Sequence, residues 1–464
     1  MDSATERKVA PAGQAPWEPP RLVTGRYVAR VATLESDGLA RAEVVKTLLT
    51  PSDEDFLAVY GPAWLVQPDL RRRAEVFRVT GGLPGELIEV EATWSLPRPG
   101  RRRARRAPDP TTRLTRVIEA SQERVEPRCA VFGVCGGCQF QSMAYPAQLA
   151  WKTERVRGLL RAAGFVEPPV SPAIGCEEPW GYRNHMRFAV NREGQVGLTA
   201  RGTHRVLPLH ACPIANPHIN EALAVLAGTP QPRPQALVRY GVATGQLLLQ
   251  PAPVGSTREA LARIGDVCEA EMEEELGGAR FRIRPSSFFQ TNTAQANVMA
   301  RLALAALPSG PEVTLVDAYC GVGVFARLMA GQAGRVLAIE ESASAVRDAR
   351  LNLRDATHVE VIQAKVEDDL PLRTERLDGL VIDPPRAGCQ RPVLDALVAR
   401  RPPVVVYISC DPVTLARDLA YLCLTAEAYH VRSVQPLDMF PQTAHIENVV
   451  TLDAVGAGLG EERA

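Results

Sequence analysis

Between Val313 and Ile408 the chain alternates short apolar runs with stretches of helical length. The runs are Val313-Thr314-Leu315-Val316, Arg335-Val336-Leu337-Ala338-Ile339, Val359-Glu360-Val361-Ile362, Gly379-Leu380-Val381-Ile382 and Val404-Val405-Val406-Tyr407-Ile408. Strand and helix in that rhythm predict a doubly wound parallel sheet, whose ligands bind outside the carboxyl ends of the strands. Chemistry should therefore sit just after these runs. Ile382 leads into Asp383-Pro384-Pro385-Arg386, and Ile408 into Ser409-Cys410-Asp411-Pro412.

The first run continues as Asp317-Ala318-Tyr319-Cys320-Gly321-Val322-Gly323-Val324, and the second ends at Glu340. Glycines between a strand and a helix let the backbone approach a ligand, and a carboxylate ending the next strand can accept both hydroxyls of a ribose. A dinucleotide fingerprint would want a third glycine where Ala326 stands, and Asp317 would repel a pyrophosphate. Acidic residues instead favour the sulfonium and ammonium charges of S-adenosylmethionine, which is the expected cofactor.

The methyl acceptor is read from the other two strand ends. Asp-Pro-Pro after the fourth run is shared with enzymes that methylate an exocyclic amine, but an aromatic residue follows the prolines there, and here the position is Arg386. Amine methylation also leaves Cys410 without a role. Methylation of a pyrimidine at C5 needs a thiolate to add at C6, so that C5 becomes nucleophilic, and then a base to remove the C5 proton as the thiol leaves. Cys410 suits the first task; Glu447 or His445, in Thr443-Ala444-His445-Ile446-Glu447-Asn448, suits the second. An RNA-binding protein whose methyltransferase fold has lost activity is the other reading, and the presence of Cys410, Glu447 and Asp383 argues against it.

Ser409 to Asp418, Asp383 to Gly388 and His445-Ile446-Glu447 together resemble the signatures of the RNA uracil-C5 methyltransferase family. The resemblance implies a class I methyltransferase fold with Cys410 as nucleophile and Glu447 as general base. It also implies that Gln290, Tyr319, Glu340 and Asp383 line the S-adenosylmethionine pocket, Gln290 and Asp383 lying near the target base as well. Val324 stands where some members have a polar Asn. Members act on 23S ribosomal RNA or transfer RNA, and ribosomal RNA is the favoured expectation.

The chain has ten cysteines. Cys129, Cys135 and Cys138 follow a Cys-x5-Cys-x2-Cys spacing with Gly136-Gly137 inside it, and Cys212, in a Cys-Pro step, is the candidate fourth ligand. Four thiolates suit either zinc or a [4Fe–4S] cluster. The family resemblance implies a [4Fe–4S] cluster. Cys176, Cys268, Cys320, Cys389 and Cys423 match no role and are expected to be packing residues.

At 464 residues, 46% hydrophobic and 23% charged, the chain is expected to be a soluble multidomain α/β protein. No apolar run approaches the about 20 residues of a membrane span and the N-terminus lacks a signal-peptide core, so the expected location is the cytoplasm, as a monomer. Residues 1–20 read as a disordered tail. Residues 21–96 carry short alternating runs broken by Gly and Pro, predicting an OB-like β-barrel that resembles a TRAM domain, with an insertion at about 42–75. Residues 97–126, with Arg98, Arg101, Arg102, Arg103, Arg105 and Arg106, read as a basic linker suited to RNA phosphates. A central α+β iron–sulfur domain is expected at 127–280, including a helix from Tyr145 to about Ala163 with Leu149, Val156, Leu159 and Leu160 on one face, and the methyltransferase domain at 281–464.

Overall fold

The computed structural model describes residues 21–49, 76–96, 110–229 and 233–456, arranged in two compact units. The expected tail and arginine run, and most of the expected insertion, lie outside the described residues.

The first unit is one antiparallel sheet of order β3-β2-β1-β4-β5, formed by β1 (Arg21–Leu34), β2 (Ala40–Leu49), β3 (Val76–Val79), β4 (Leu87–Leu96) and β5 (Thr111–Glu119). One face buries Tyr27, Phe77 and Trp94 together with small residues such as Ala29, Ala40, Ala42 and Ala92, so three large rings fill a space that the alanines leave. Thr112 donates its hydroxyl proton to the Arg78 carbonyl, joining the two outer strands. The expected linker at 97–126 is corrected here. Thr111–Glu119 pairs along β4, with Arg113 reaching Glu91 across the pair, so its charges lie on a strand face rather than along a free linker.

In the second unit, a six-stranded sheet of order β11-β10-β9-β6-β7-β8 is formed by β6 (His185–Val190), β7 (Val196–Thr199), β8 (Val206–Pro208), β9 (Gln235–Tyr240), β10 (Gln246–Gln250) and β11 (Asp266–Cys268). The helix Pro217–Ala227 packs Ile219, Leu223 and Leu226 on it. A hairpin of β12 (Met272–Leu276) and β13 (Ala279–Ile283) follows. Its Leu276, Phe281 and Ile283 belong to the core of the methyltransferase sheet, so the boundary expected at 280/281 would cut a hairpin that cannot bury its apolar face without that sheet.

That sheet has order β16-β15-β14-β17-β18-β20-β19, from β14 (Gly310–Ala318), β15 (Ala333–Glu340), β16 (Val359–Gln363), β17 (Gly379–Ile382), β18 (Val404–Ser409), β19 (Tyr429–Leu437) and β20 (Glu447–Ala454). The five expected strands are all present and parallel, with β20 inserted antiparallel between β18 and β19. Alternate residues feed two cores: Val316, Leu380, Val405 and Tyr407 one face, Leu315, Val381, Val406 and Ile408 the other. Burial on both faces is why β17 and β18 read as unbroken apolar runs, while β16, at the sheet edge, leaves Glu360 exposed.

The helix expected at Tyr145 forms over Tyr145–Ala162 but belongs to the methyltransferase core, where Val156 and Leu160 pack. Its buried face also differs from expectation, being Gln148, Lys152, Thr153, Val156 and Leu160, while Leu149 and Leu159 are only half-buried. Lys152 and Asp438 form an ion pair of 2.5 Å with neither side chain exposed, and Lys152 donates a second bond to the Phe440 carbonyl (3.2 Å). Replacing one member of a buried pair strands the other's charge, so Lys152→Ala should cost about 3–5 kcal/mol, while an apolar double replacement such as Lys152→Met with Asp438→Leu recovers most of it. Urea unfolding followed by tryptophan fluorescence measures both; a loss under about 1 kcal/mol for Lys152→Ala would contradict the assignment.

Candidate active site

Four strand ends converge on one edge of the large sheet. At the end of β14 the chain turns through Tyr319, Gly321 and Gly323 at φ values of 65°, 56° and 85°. A Cβ on Gly323 would lie 3.0 Å from Leu353, so both conformation and space call for glycine where the helix Val324–Met329 begins. Asp317, fully buried beneath this turn, accepts the Ala326 amide at 2.7 Å and is pushed up to about 7, chiefly by burial. Glu340, ending β15, accepts the Gly321 amide (3.0 Å) on one oxygen and the Ser342 amide (2.8 Å) on the other. Each oxygen keeps a lone pair for a ribose hydroxyl.

The turn walls a cleft also lined by Phe288, Gln290, Val324 and Asp383. Gln290 is held there by its backbone, its carbonyl accepting the Asn184 side-chain amide at 3.1 Å. Phe288 stands largely exposed at this cleft. The expected cofactor residues Gln290, Tyr319 and Asp383 thus line one cleft, and Glu340 is tied to its turn through the Gly321 amide.

Ile382 pairs with Tyr407, and Ser409 with Asn448, so the next positions outward are Asp383 beyond β17, Cys410 beyond β18 and Glu447 at the start of β20. Asn448 donates to the Ser409 carbonyl at 3.2 Å, fixing that junction. Burial, then Glu447 and Asp383, raise the Cys410 thiol to about 11, against the charge and hydrogen bond of Arg386, which pull it down. Burial, and then Asp383, push Glu447 well above the carboxylate range, opposed again by Arg386. Asp383 is raised by burial to about 7. Arg386 is therefore the positive charge acting on both the thiol and the acid.

Arg386 donates to His445 Nδ1 at 2.9 Å. Partial burial and then the Arg386 guanidinium lower His445 to about 4, so its imidazole is neutral at pH 7 and its Nδ1 lone pair is engaged. The geometry therefore favours Glu447 over His445 as the proton acceptor.

The cysteines form a separate place. Cys129, Cys135, Cys138 and Cys212 line one cavity of about 210 Å³, together with Arg183 and Arg187. Burial, with a smaller contribution from the neighbouring thiols, pushes Cys138 up to about 12 against a bond from Gln141. Among the described residues no three His, Cys, Asp or Glu side chains are gathered tightly as a site for a metal ion. The cavity is far larger than the about 10–15 Å³ a water needs.

The chain is 36% identical over 391 residues, 73% of its length and 87% of the relative's, to an RNA methyltransferase of Thermosynechococcus vestitus, and 33% identical over 431 residues to one of Gloeobacter violaceus (82% and 91%). A family model described as tRNA (uracil-5-)-methyltransferase matches residues 269–455. The chain belongs to the RNA uracil-C5 methyltransferase family. Its fold is also that of the Pyrococcus abyssi tRNA (uracil-54, C5)-methyltransferase solved with S-adenosyl-L-homocysteine, at a TM-score of 0.64 and 20% identity over 92% of this chain and 100% of that one. The family places it among S-adenosylmethionine-dependent RNA methyltransferases with a class I fold. No described helix is long and apolar enough to cross a membrane.

For this methyltransferase the sequence located the strand-end residues but missed Arg386 as a partner of Cys410, reading it only as an absent aromatic. A basic residue three positions after Asp383 was the available signal. The site predicts how Cys410 reacts without RNA: alkylation by iodoacetamide should be slow at pH 7.5 and climb about tenfold per pH unit toward 11, because only the thiolate reacts. Arg386→Met should slow it further at each pH. A rate that plateaus by about pH 8, read by peptide mass spectrometry, would contradict this.

Proposed function

We propose that this enzyme transfers the methyl group of S-adenosylmethionine to C5 of a uridine in RNA, through a covalent bond between Cys410 and C6. The observation that carries the proposal is the meeting of Cys410, Glu447, Asp383 and Arg386 beside the cleft lined by Gln290 and Tyr319. Cys410 thiolate adds to C6, and the resulting enolate uses its C5 to take the methyl group, releasing S-adenosylhomocysteine. Glu447 then removes the C5 proton, the C5=C6 bond reforms, and the thiolate departs. Arg386 favours both anions the reaction needs. Asp383, which lines the cleft and also acts on the thiol, and Gln290, on the same cleft, would meet uracil's polar edge, and Phe288 offers an exposed face for stacking. Glu340 would bind the cofactor's ribose.

Cys129, Cys135, Cys138 and Cys212 would hold a [4Fe–4S] cluster. One zinc ion needs four sulfurs at about 2.3 Å from a common centre. Four thiols lining one cavity of about 210 Å³ leave room for a polynuclear group, and the Arg201 charge favours the Cys135 thiolate. A cluster there supplies no electron to C5 methylation; its residues tie the 129–138 loop to β7 and Cys212. The first unit, as an OB-like TRAM barrel, and the adjoining arginines would hold RNA phosphates. The proposed substrate is 23S ribosomal RNA in preference to transfer RNA, and the setting a cytoplasmic monomer.

Fluorine at C5 cannot be removed as a proton is, so RNA containing 5-fluorouridine should form an adduct that survives denaturing electrophoresis and is absent from Cys410→Ala. Glu447→Gln should methylate at least about 100-fold more slowly. An adduct that persists in Cys410→Ala would refute the nucleophile. Anaerobically purified protein should contain iron and acid-labile sulfide in equal amounts; colourless, fully active protein with stoichiometric zinc would refute the cluster.

A further inference from the structure

The loop 438–446 leads from β19 to Glu447 and carries His445. It is held from one side by residues that directly follow the cysteine turn. The Gln442 carbonyl accepts the amides of Gln139 (3.1 Å) and Phe140 (3.0 Å). Gln148 exchanges two bonds with Gln442, from its amide nitrogen to Gln442 Oε1 (3.0 Å) and from the Gln442 amide to its own Oε1 (3.1 Å). With these bonds Gln442 sits at a φ of 70°, a conformation a residue with a side chain rarely adopts unaided.

Gln139 makes the more telling connection. Its Oε1 accepts the Ala444 amide at 3.2 Å, and its Nε2 donates to the Gly136 carbonyl at 3.3 Å. Gly136 lies inside the Cys135–Cys138 turn, and Ala444 lies three residues before Glu447. One buried side-chain amide therefore spans from the cysteine turn to the loop that leads into the strand bearing the base. Its acceptor end fixes the chain at Ala444, and its donor end is fixed by the shape of the turn.

We propose that Gln139 is a positioning residue for Glu447, through which the conformation of the cysteine turn, set by the group its thiols hold, determines the geometry of C5 proton removal. This rests on the reading of Glu447 as the base and of the cysteines as cluster ligands. It accounts for a cluster in a reaction that transfers no electron: the cluster holds the base loop. A glutamine that merely satisfied buried groups would affect stability, or all steps alike. A positioning glutamine affects the last step, after the Cys410–C6 bond has formed, and leaves cofactor binding untouched.

The test uses the full chain purified anaerobically, with ribosomal and transfer RNA from a strain lacking the gene. Gln139→Met, which keeps the size and loses both bonds, should methylate about 10–100-fold more slowly. It should accumulate a covalent adduct with ordinary uridine RNA, keep its affinity for S-adenosylmethionine within about twofold, and retain its iron. Gln139→Glu, which keeps the acceptor for Ala444, should recover part of the rate. Glu447→Gln is the reference: if it accumulates adduct and Gln139→Met does not, the positioning role is wrong, and if Glu447→Gln does not, the base assignment is wrong. A second measurement needs no variant. Hydrogen exchange on the native chain, before and after the cysteine site is stripped by chelation, should speed up in peptides covering 439–446 while β14 to β18 stay protected; unchanged exchange there would overturn the coupling.

Discussion

The antiparallel register between β18 and β20 is the constraint on which the site depends. Ser409 opposite Asn448 makes Cys410 and Glu447 the next pair outward, and the parallel pairing of β17 with β18 brings Asp383 alongside. A slip of one residue would turn every side chain of β20 to the other face and remove Glu447 from the thiol. The register is protected by burial, since all eight residues of β20 are buried and they feed both cores, Val450 and Leu452 on one side and Val449 on the other. Packing that holds the sheet together is therefore the same packing that aligns nucleophile and acid.

This edge gathers more acidic groups than it has cations to pair with them. Asp317, Asp383 and Glu447 are all raised by burial, and Arg386 opposes the rise at Glu447 and at Cys410. Acids in such a place suit a cationic cofactor, whose sulfonium supplies charge the protein withholds. Burial first, and then Glu447 and Asp383, favour the protonated thiol, which keeps the nucleophile quiet. The loop leading to the base is fixed by a different means, the buried Lys152–Asp438 pair and the side-chain amides of Gln139 and Gln148.

β17 and β18 were legible because burial on both faces writes an unbroken apolar run, β14 to β16 because shorter apolar runs alternate with stretches of helical length, and the strand ends then pointed to Asp383 and Cys410. β19 was not legible, because Tyr429–Leu437 includes His430, Arg432, Gln435 and Pro436 and looks like a loop. Its outer edge is covered by a segment around Val170 and Ile174 that no local pattern announces. The helix Tyr145–Ala162 was found, but its face was misjudged, since leucines outrank Gln148 and Lys152 on any hydrophobic criterion. Those two are buried because their partners Gln442 and Asp438 come from nearly three hundred residues away. Arg386 was hidden for the same reason: its meaning lies in His445 and Cys410, which only the folded edge brings to it.

The measurement that tests the central claim most directly is tritium release from RNA labelled at uridine C5. Methylation at that carbon through a Cys410 adduct predicts one tritium lost to water for each methyl group transferred, and neither event in Cys410→Ala. Methyl transfer from S-adenosylmethionine without tritium release would contradict the account and place the methyl group elsewhere on the RNA.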